Sequence, residues 1–388
     1  MKRVYWRPKK ISRTILAILT VISLAGLGLV ENKKTVKKQP YFKQKIRASR
    51  LASRAMDQIK SARASIPIPP DQKALSIEMD TANTGLIGLD MSPVTSNTGH
   101  LPAKRTSINP NFAAVIVHLL KKAGVKEGDR VAVGFSGSFP AVNICTLSAI
   151  QTLKLRPTIV SSAAASQWGA NVPNLLWIDM ERLLFESNLF AHRSFAASRG
   201  GGKDRALGMT RAGRELLDET IARNELVPIK GKKTIEDAVD DRMTRYHEKL
   251  NDNEEYVAYI NVGGGWASVG SWVGKKMFKP GLNMRPVANR VRYPSVMLAF
   301  SELGTPVINL SQIVSLAQKY GLPIEPEQKP RIGEGNIFYR ESYNQWLAGG
   351  LLLLVLVLLF FFIRTDVGFR ILQTSGTQKK DAQPEQMI

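Results

Sequence analysis

The sequence predicts an α/β fold: a Rossmann-like parallel sheet covered by helices and flanked by two transmembrane helices. Three observations predict it. Short apolar runs near residues 131, 158, 257 and 307 alternate with helix-periodic segments, the pattern of strand–helix–strand units. Three of those runs lead directly into Gly/Ser/Asn-rich loops, at 134–139, 161–171 and 261–270. Two apolar, charge-free segments, Thr14 to Val30 and Trp346 to Ile363, are long enough to read as membrane spans.

The spans set the expected organisation. Lys2, Arg3, Arg7, Lys9, Lys10 and Arg13 precede the first, and no small-x-small cleavage pattern follows it. Lys33, Lys34, Lys37 and Lys38 come at once after it, which favours an uncleaved anchor. The second begins at Trp346 and ends at Arg364, as interface anchors do. The positive-inside bias then puts both termini in the cytoplasm and the central region outside. The expected divisions are a basic N-terminus (1–13), a span (14–30), a basic helical stalk (31–70), an extracytoplasmic α/β domain (71–330), a linker (331–345), a second span (346–363) and a cytoplasmic tail (364–388). The chain has 54 Lys plus Arg against 32 Asp plus Glu, a formal charge of +22, most of it in the central region. Such a surface attracts anionic lipid headgroups or a polyanion. Few aromatics and an exterior location argue against nucleic acid.

Taken in order, Tyr41 to Arg63 is a basic helix with Phe42, Ile46, Met56 and Ile59 partly on one side. It reads as a solvated stalk with a docked stripe, in preference to a helix lying on anionic lipid. Ile66-Pro-Ile-Pro-Pro70 ends it. Gly85 to Pro93 reads as a short strand and turn, and Thr95 to Pro110 as a polar loop. Asn109 before Pro110 suits an N-cap for a helix over Asn111 to Ala123. A strand over 130–134 breaks at Gly134, and the turn after it opens a helix over 141–153. Further strands are expected at Pro157 to Ser162, Glu255 to Val262 and Pro306 to Leu310. Further helices are expected at 179–190, 211–224, 234–250, 294–303 and 311–320. Residues 193–210 read as a glycine-rich loop, with Arg199-Gly-Gly-Gly-Lys203 either a lid or a plain loop.

In parallel sheets ligands bind at the carboxyl ends of the strands. Ser136-Gly137-Ser138 can be an anion nest using the N–H groups of Gly137 to Phe139, or a plain turn. As a nucleophile elbow it falls short, because Ser138 stands where G-x-S-x-G needs glycine. Asn143, on the helix that follows, is a ligand-binding candidate with them. Ser161, Ser162, Ser166, Gln167, Trp168 and Asn171 can hold a peptide-like or sugar-like ligand, or form a turn whose tryptophan plugs the core. Gly263, Gly264, Gly265 and Trp266 repeat the pattern. Ser136 is the weak catalytic candidate, with Asp179 and His247 in hydrolase chain order. Asp179 also suits a helix N-cap, and His118 a packed helix position. The lone Cys145 excludes an internal disulfide, and no His/Cys/Asp cluster has metal spacing. G-x-G-x-x-G is missing, and no cofactor is expected.

Several stretches together resemble the bacterial poly-gamma-glutamate system protein family. They are Gly85-Leu-Ile-Gly88, Lys104-Arg-Thr-Ser-Ile-Asn-Pro-Asn-Phe-Ala-Ala114, Gly137-Ser-Phe-Pro140, Ala165-Ser-Gln-Trp-Gly-Ala-Asn171, Trp177-Ile-Asp-Met-Glu181 and Gly213-Arg-Glu-Leu-Leu217. The resemblance runs over about residues 40–325. It implies a bacterial cytoplasmic-membrane protein, an accessory component of the synthesis or export of poly-gamma-glutamate, a polyanionic capsule or slime polymer. The implied partners are the polymer and its membrane synthase complex. The resemblance carries over no catalytic residues. The alternatives are an envelope hydrolase or transferase acting on the polymer through Ser136, and a binding module for a small anionic ligand.

Overall fold

Strands form where β-favouring apolar residues run together, and seven of them make the central sheet of this protein. They are β1 (Arg130–Ser136), β2 (Arg156–Ser162), β3 (Ala196–Ser198), β4 (Val227–Ile229), β5 (Ala258–Val262), β6 (Gly281–Asn283) and β7 (Val307–Leu310), in the spatial order β4-β3-β2-β1-β5-β7-β6. All neighbours are parallel except β6, which runs antiparallel to β7 at one edge. The computed structural model describes residues 13–364 apart from 69, 231–233, 271 and 286–292. The basic segment before residue 13 and the tail beyond 364 lie outside the described residues.

The pleat sends alternate side chains to opposite faces. From β1, Val131, Val133 and Phe135 enter one core with Ile159, Ile260, Val262, Ile308 and Leu310. Helices Phe42–Ala64, Phe112–Lys122, Pro140–Leu153 and Trp177–Glu186 contribute to that core. Ala132, Val160, Ala196, Tyr259 and Val307 enter a second core on the other face. It is covered by helices Ile235–His247, Trp266–Val269 and Val296–Glu302, through Tyr246, Val269 and Phe300. Both faces are buried, as a parallel sheet requires.

Several expectations need correction. β1 does not break at Gly134 but runs on to Ser136. A Cβ at Gly134 would stand 2.4 Å from the Tyr259 hydroxyl, so glycine makes room for a ring from the neighbouring strand. Residues 193–210 contain the sheet strand β3, and β4 and β6 were not foreseen. These three strands have three residues each, too short to show an alternating pattern. The expected polar loop over 95–110 contains the helix Leu101–Ser107, capped by the His100 side chain accepting from Ala103 N–H. Among the described residues no strand forms over 85–93. That backbone clips onto the loop after β2 instead: Gly88 N–H donates to Trp168 O (3.1 Å) and Trp168 N–H to Leu89 O (2.9 Å). Asn109 does not cap the next helix. Its Oδ1 accepts from Asn111 N–H, and the helix begins at Phe112.

The largest revision concerns the stalk. The unit that carries the sheet runs from Lys38 to Phe338. Ala48, Leu51, Ala52, Ala55, Met56 and Ile59 of the Phe42–Ala64 helix lie inside its first core. The alanines allow close approach to helices Phe112–Lys122 and Pro140–Leu153. Residues 331–338, expected as linker, also belong to this unit: Ile337 and Phe338 are buried, and Lys45 Nζ donates to Ile337 O at 2.8 Å.

The other unit is formed from both ends of the chain. Helices Arg13–Asn32 and Gln345–Arg364 pack together, with Gly26 against Leu351, and Thr35–Lys38 pairs with Tyr339–Ser342. The windows Ile15–Asn32 and Gln345–Phe362 are long and apolar enough to cross a membrane.

Because Ile59 is fully buried, Ile59→Ala is expected to lower unfolding free energy by about 2–5 kcal/mol. Urea unfolding reads this directly. A solvated stalk would change by less than about 0.5 kcal/mol.

Candidate functional site

The chain reverses direction across the sheet between β1 and β5, so the switch point lies at their carboxyl ends. Three serines end adjacent strands in register: Ser136 on β1 opposite Ser162 on β2, and Ser162 opposite Ser198 on β3. Gly263, just past β5, has φ +89° and rests on Ser136. A Cβ there would come within 2.7 Å of the Ser136 Cβ.

The expected nest does not form in this turn. Gly137 N–H donates to Ser162 O (3.2 Å), Ser138 N–H to Ser136 Oγ (3.2 Å) and Phe139 N–H to Ser136 O (3.4 Å). All three donors are engaged internally, leaving none for an anion. Asn143 is fully buried and its Nδ2 donates to Ser136 O at 3.0 Å, which fixes the end of β1.

Other candidates are structural. Asn171 brackets Leu89 with both ends of its amide and also donates to Thr95 Oγ1. Gln167 accepts from Gly99 N–H and donates to Asp90. Ser161 pairs with Ser194 at 2.7 Å inside the protein. Ser162 accepts from Arg242, a fully buried guanidinium that also donates to Ser198 and to both oxygens of Asp204. This ion pair fastens the 199–210 segment, where Lys203, Asp204 and Ala206 hold positive φ. The proposed lid is therefore tied down. Gly265 caps the short helix Trp266–Val269, and the Trp266 side chain is exposed.

The hydrolase order Ser136, Asp179, His247 does not assemble. The Asp179 carboxylate accepts from Leu176 N–H, Arg223 and Asn224. His247 is exposed on its helix. His118 lies edge-on to Tyr320, and burial with nearby Lys45, Lys122 and Lys319 pushes its pKa down to about 4. Burial pushes the Cys145 thiol far up, which makes it inert.

Two features were not foreseen. The first is Lys104, 2% exposed on helix Leu101–Ser107. Its Nζ donates to Ser138 O and to Ser166 Oγ (2.8 Å) and sits 4.4 Å from the centre of the Phe139 ring. Among the described residues no carboxylate pairs with it, and burial lowers its pKa to about 7. No local pattern marked it, because its partners lie 34 and 62 residues away.

The second is a groove of about 820 Å³ along the Phe42–Ala64 helix. Its cationic wall is Lys43, Arg47, Arg50 and Arg54, and its floor includes Phe42, Ile46, Leu51 and Ile332. The four cations fall at successive spacings of four, three and four residues, one face of a helix, over about 16 Å of axis. None has an ion-pair or hydrogen-bond partner among the described residues, and the helix's one acid, Asp57, is taken by Lys329 at 2.7 Å. Thr152, 8% exposed, also borders the groove, and its buried hydroxyl has no partner among the described residues. The spacing was visible in the sequence. The burial of the opposite face, which fixes the cations outward, was not.

Compared with known proteins, no family model, curated protein or solved structure matches this chain.

The lowered pKa of Lys104 has a definite sign. Between about pH 7 and its ordinary value of 10.5 the unfolded chain holds the proton more tightly, so this group makes stability rise with pH. Lys104→Met is expected to remove that rise. Urea midpoints of both proteins across pH 7–10 check it, and parallel profiles would contradict it.

Proposed function

We propose that this chain is a membrane-anchored accessory component of poly-gamma-glutamate synthesis or export. It holds the anionic polymer in the groove of the Phe42–Ala64 helix. The carrying observation is the row Lys43, Arg47, Arg50 and Arg54, four cations along one groove without acidic partners among the described residues. Structural lysines and arginines ordinarily find a carboxylate or stay scattered. Here they line up beside an apolar floor. A polymer with one carboxylate per repeat suits such a row, and its methylene segments suit the floor. The stretches that resemble the poly-gamma-glutamate system family support this choice of polyanion.

In this reading the two apolar helices are membrane spans, both termini are cytoplasmic and the sheet-bearing unit is extracytoplasmic. In that reading the groove belongs to the exterior unit, the side to which a polymer is secreted. The membrane synthase complex is the expected partner. The alternative with Ser136 as nucleophile loses its support, because the Ser136 hydroxyl accepts from Ser138 N–H and has no basic side chain bonded to it among the described residues.

The test uses the full chain in detergent with purified poly-gamma-glutamate. Binding should weaken with salt. At about 1 kcal/mol per cation, Arg47→Gln, Arg50→Gln and Arg54→Gln together should reduce affinity roughly 100-fold. All three side chains are exposed, so folding should be retained. Vesicles containing anionic lipid form the comparison. If they bind through the same arginines and the polymer does not, the groove is a lipid contact and the proposal fails.

A further inference from the structure

The Lys104 environment is unusual for a structural cation. A buried ammonium normally sits beside a carboxylate, because taking an unpaired charge out of water is costly. Here its neighbours are a carbonyl, the Ser166 hydroxyl and an aromatic face. The loop that carries Ser166 is held on every side. Ser166 N–H donates to Ser138 Oγ at 3.0 Å, Ala170 N–H to Gly137 O at 2.8 Å, and Gln167 N–H to Asn97 O at 3.0 Å. Ser166 keeps 6% of its surface, and Ser138, Gln167 and Trp168 beside it are half-buried.

Trp168 adds a second, independent observation. It has φ +57°, a left-handed backbone that is an outlier for so bulky a residue. Its indole Nε1 is buried without an acceptor among the described residues. Strain and an unpaired donor two residues from a lysine-bonded serine are features that concentrate at reactive sites.

We propose that Ser166 and Lys104 form a nucleophile–base pair for acyl transfer, acting on an amide or ester carbonyl. Neutral Lys104 Nζ takes the proton from Ser166 Oγ as that oxygen bonds to the carbonyl carbon. When the tetrahedral adduct collapses, the bond to the leaving amine or alcohol breaks, and the leaving group takes the proton from Lys104. Water then attacks the acyl-serine ester, giving its proton to Lys104. Ser166 Oγ leaves, recovers that proton, and the free carboxylic acid is released. No metal or redox partner is needed for the balance. The Ser138 hydroxyl, which accepts from Ser166 N–H, keeps its own proton to donate to developing negative charge. A lysine able to be neutral near pH 7 suits the base role. The hydrolase chemistry considered at Ser136 thus moves one loop over, to a serine that has a base.

The experiment treats the full chain in detergent with a fluorophosphonate probe and maps the adduct by mass spectrometry from pH 6 to 10. Phosphonylation is expected at Ser166, with a rate that rises with pH and is half-maximal near 7. Lys104→Arg, which keeps a cation but cannot serve as base, should slow it at least about 100-fold. Ser166→Ala should abolish it. Melting curves confirm that both variants fold, and poly-gamma-glutamate binding at the groove should be unchanged in them, which separates this site from the polymer reading. If Lys104→Arg does not fold, the pH profile of the unaltered chain still decides. Absence of adduct at Ser166 throughout the range overturns the proposal. So does a rate independent of pH, or of Lys104 in a folded variant.

Discussion

One helix must serve two opposed chemistries, and the 3.6-residue period keeps them apart. On Phe42–Ala64, Ala48, Ala52, Ala55 and Ile59 face a dry core, while Lys43, Arg47, Arg50 and Arg54 face a wet groove. The cations repel one another at i,i+3 and i,i+4, which would destabilise the helix in isolation. Packing of the alanine face against Phe112–Lys122 and Pro140–Leu153 supplies the missing stability. The charge row is thus held in an arrangement it would not choose by itself. A bound polyanion relieves that repulsion and, by mass action, stabilises the folded unit. Core and groove both follow from the placement of this helix.

The carboxyl edge of the sheet illustrates a different use of polar groups. Arg242 and Asp204 are buried, but each is bonded until little is left over, with Ser162 and Ser198 completing the set. Such a network fixes a loop and excludes ligands. Lys104 is bonded in sequence-distant company and, among the described residues, lacks the carboxylate that would complete it. That difference in satisfaction separates the reactive candidate from the fastening.

Much of the sheet was legible in the sequence because its central strands are long and apolar. Arg130–Ser136, Arg156–Ser162, Ala258–Val262 and Val307–Leu310 announced themselves by composition. The three-residue strands did not, since pairing partners rather than pattern hold them there. The core role of the Phe42–Ala64 helix is not legible, because a stripe of alanines looks neutral in sequence. Only the facing helices turn Ala48, Ala52 and Ala55 into core. The strand-end loops are legible in the sequence, but which of their polar groups are engaged internally is not. Whether Gly137 N–H or the Asn171 amide is available depends on partners such as Ser162 O and Leu89, which the local sequence does not reveal. The cation spacing on the first helix was present in the sequence all along and lacked only the knowledge of which face was buried.

Chemical footprinting tests most directly the proposed binding of a polyanion along Lys43 to Arg54. The full chain in detergent is treated with an arginine-specific dicarbonyl reagent, with and without poly-gamma-glutamate, and the modified sites are quantified by mass spectrometry. Selective protection of Arg47, Arg50 and Arg54, reversed by high salt, is the predicted result. Equal modification of these three with and without bound polymer, or protection centred on other arginines, would contradict it.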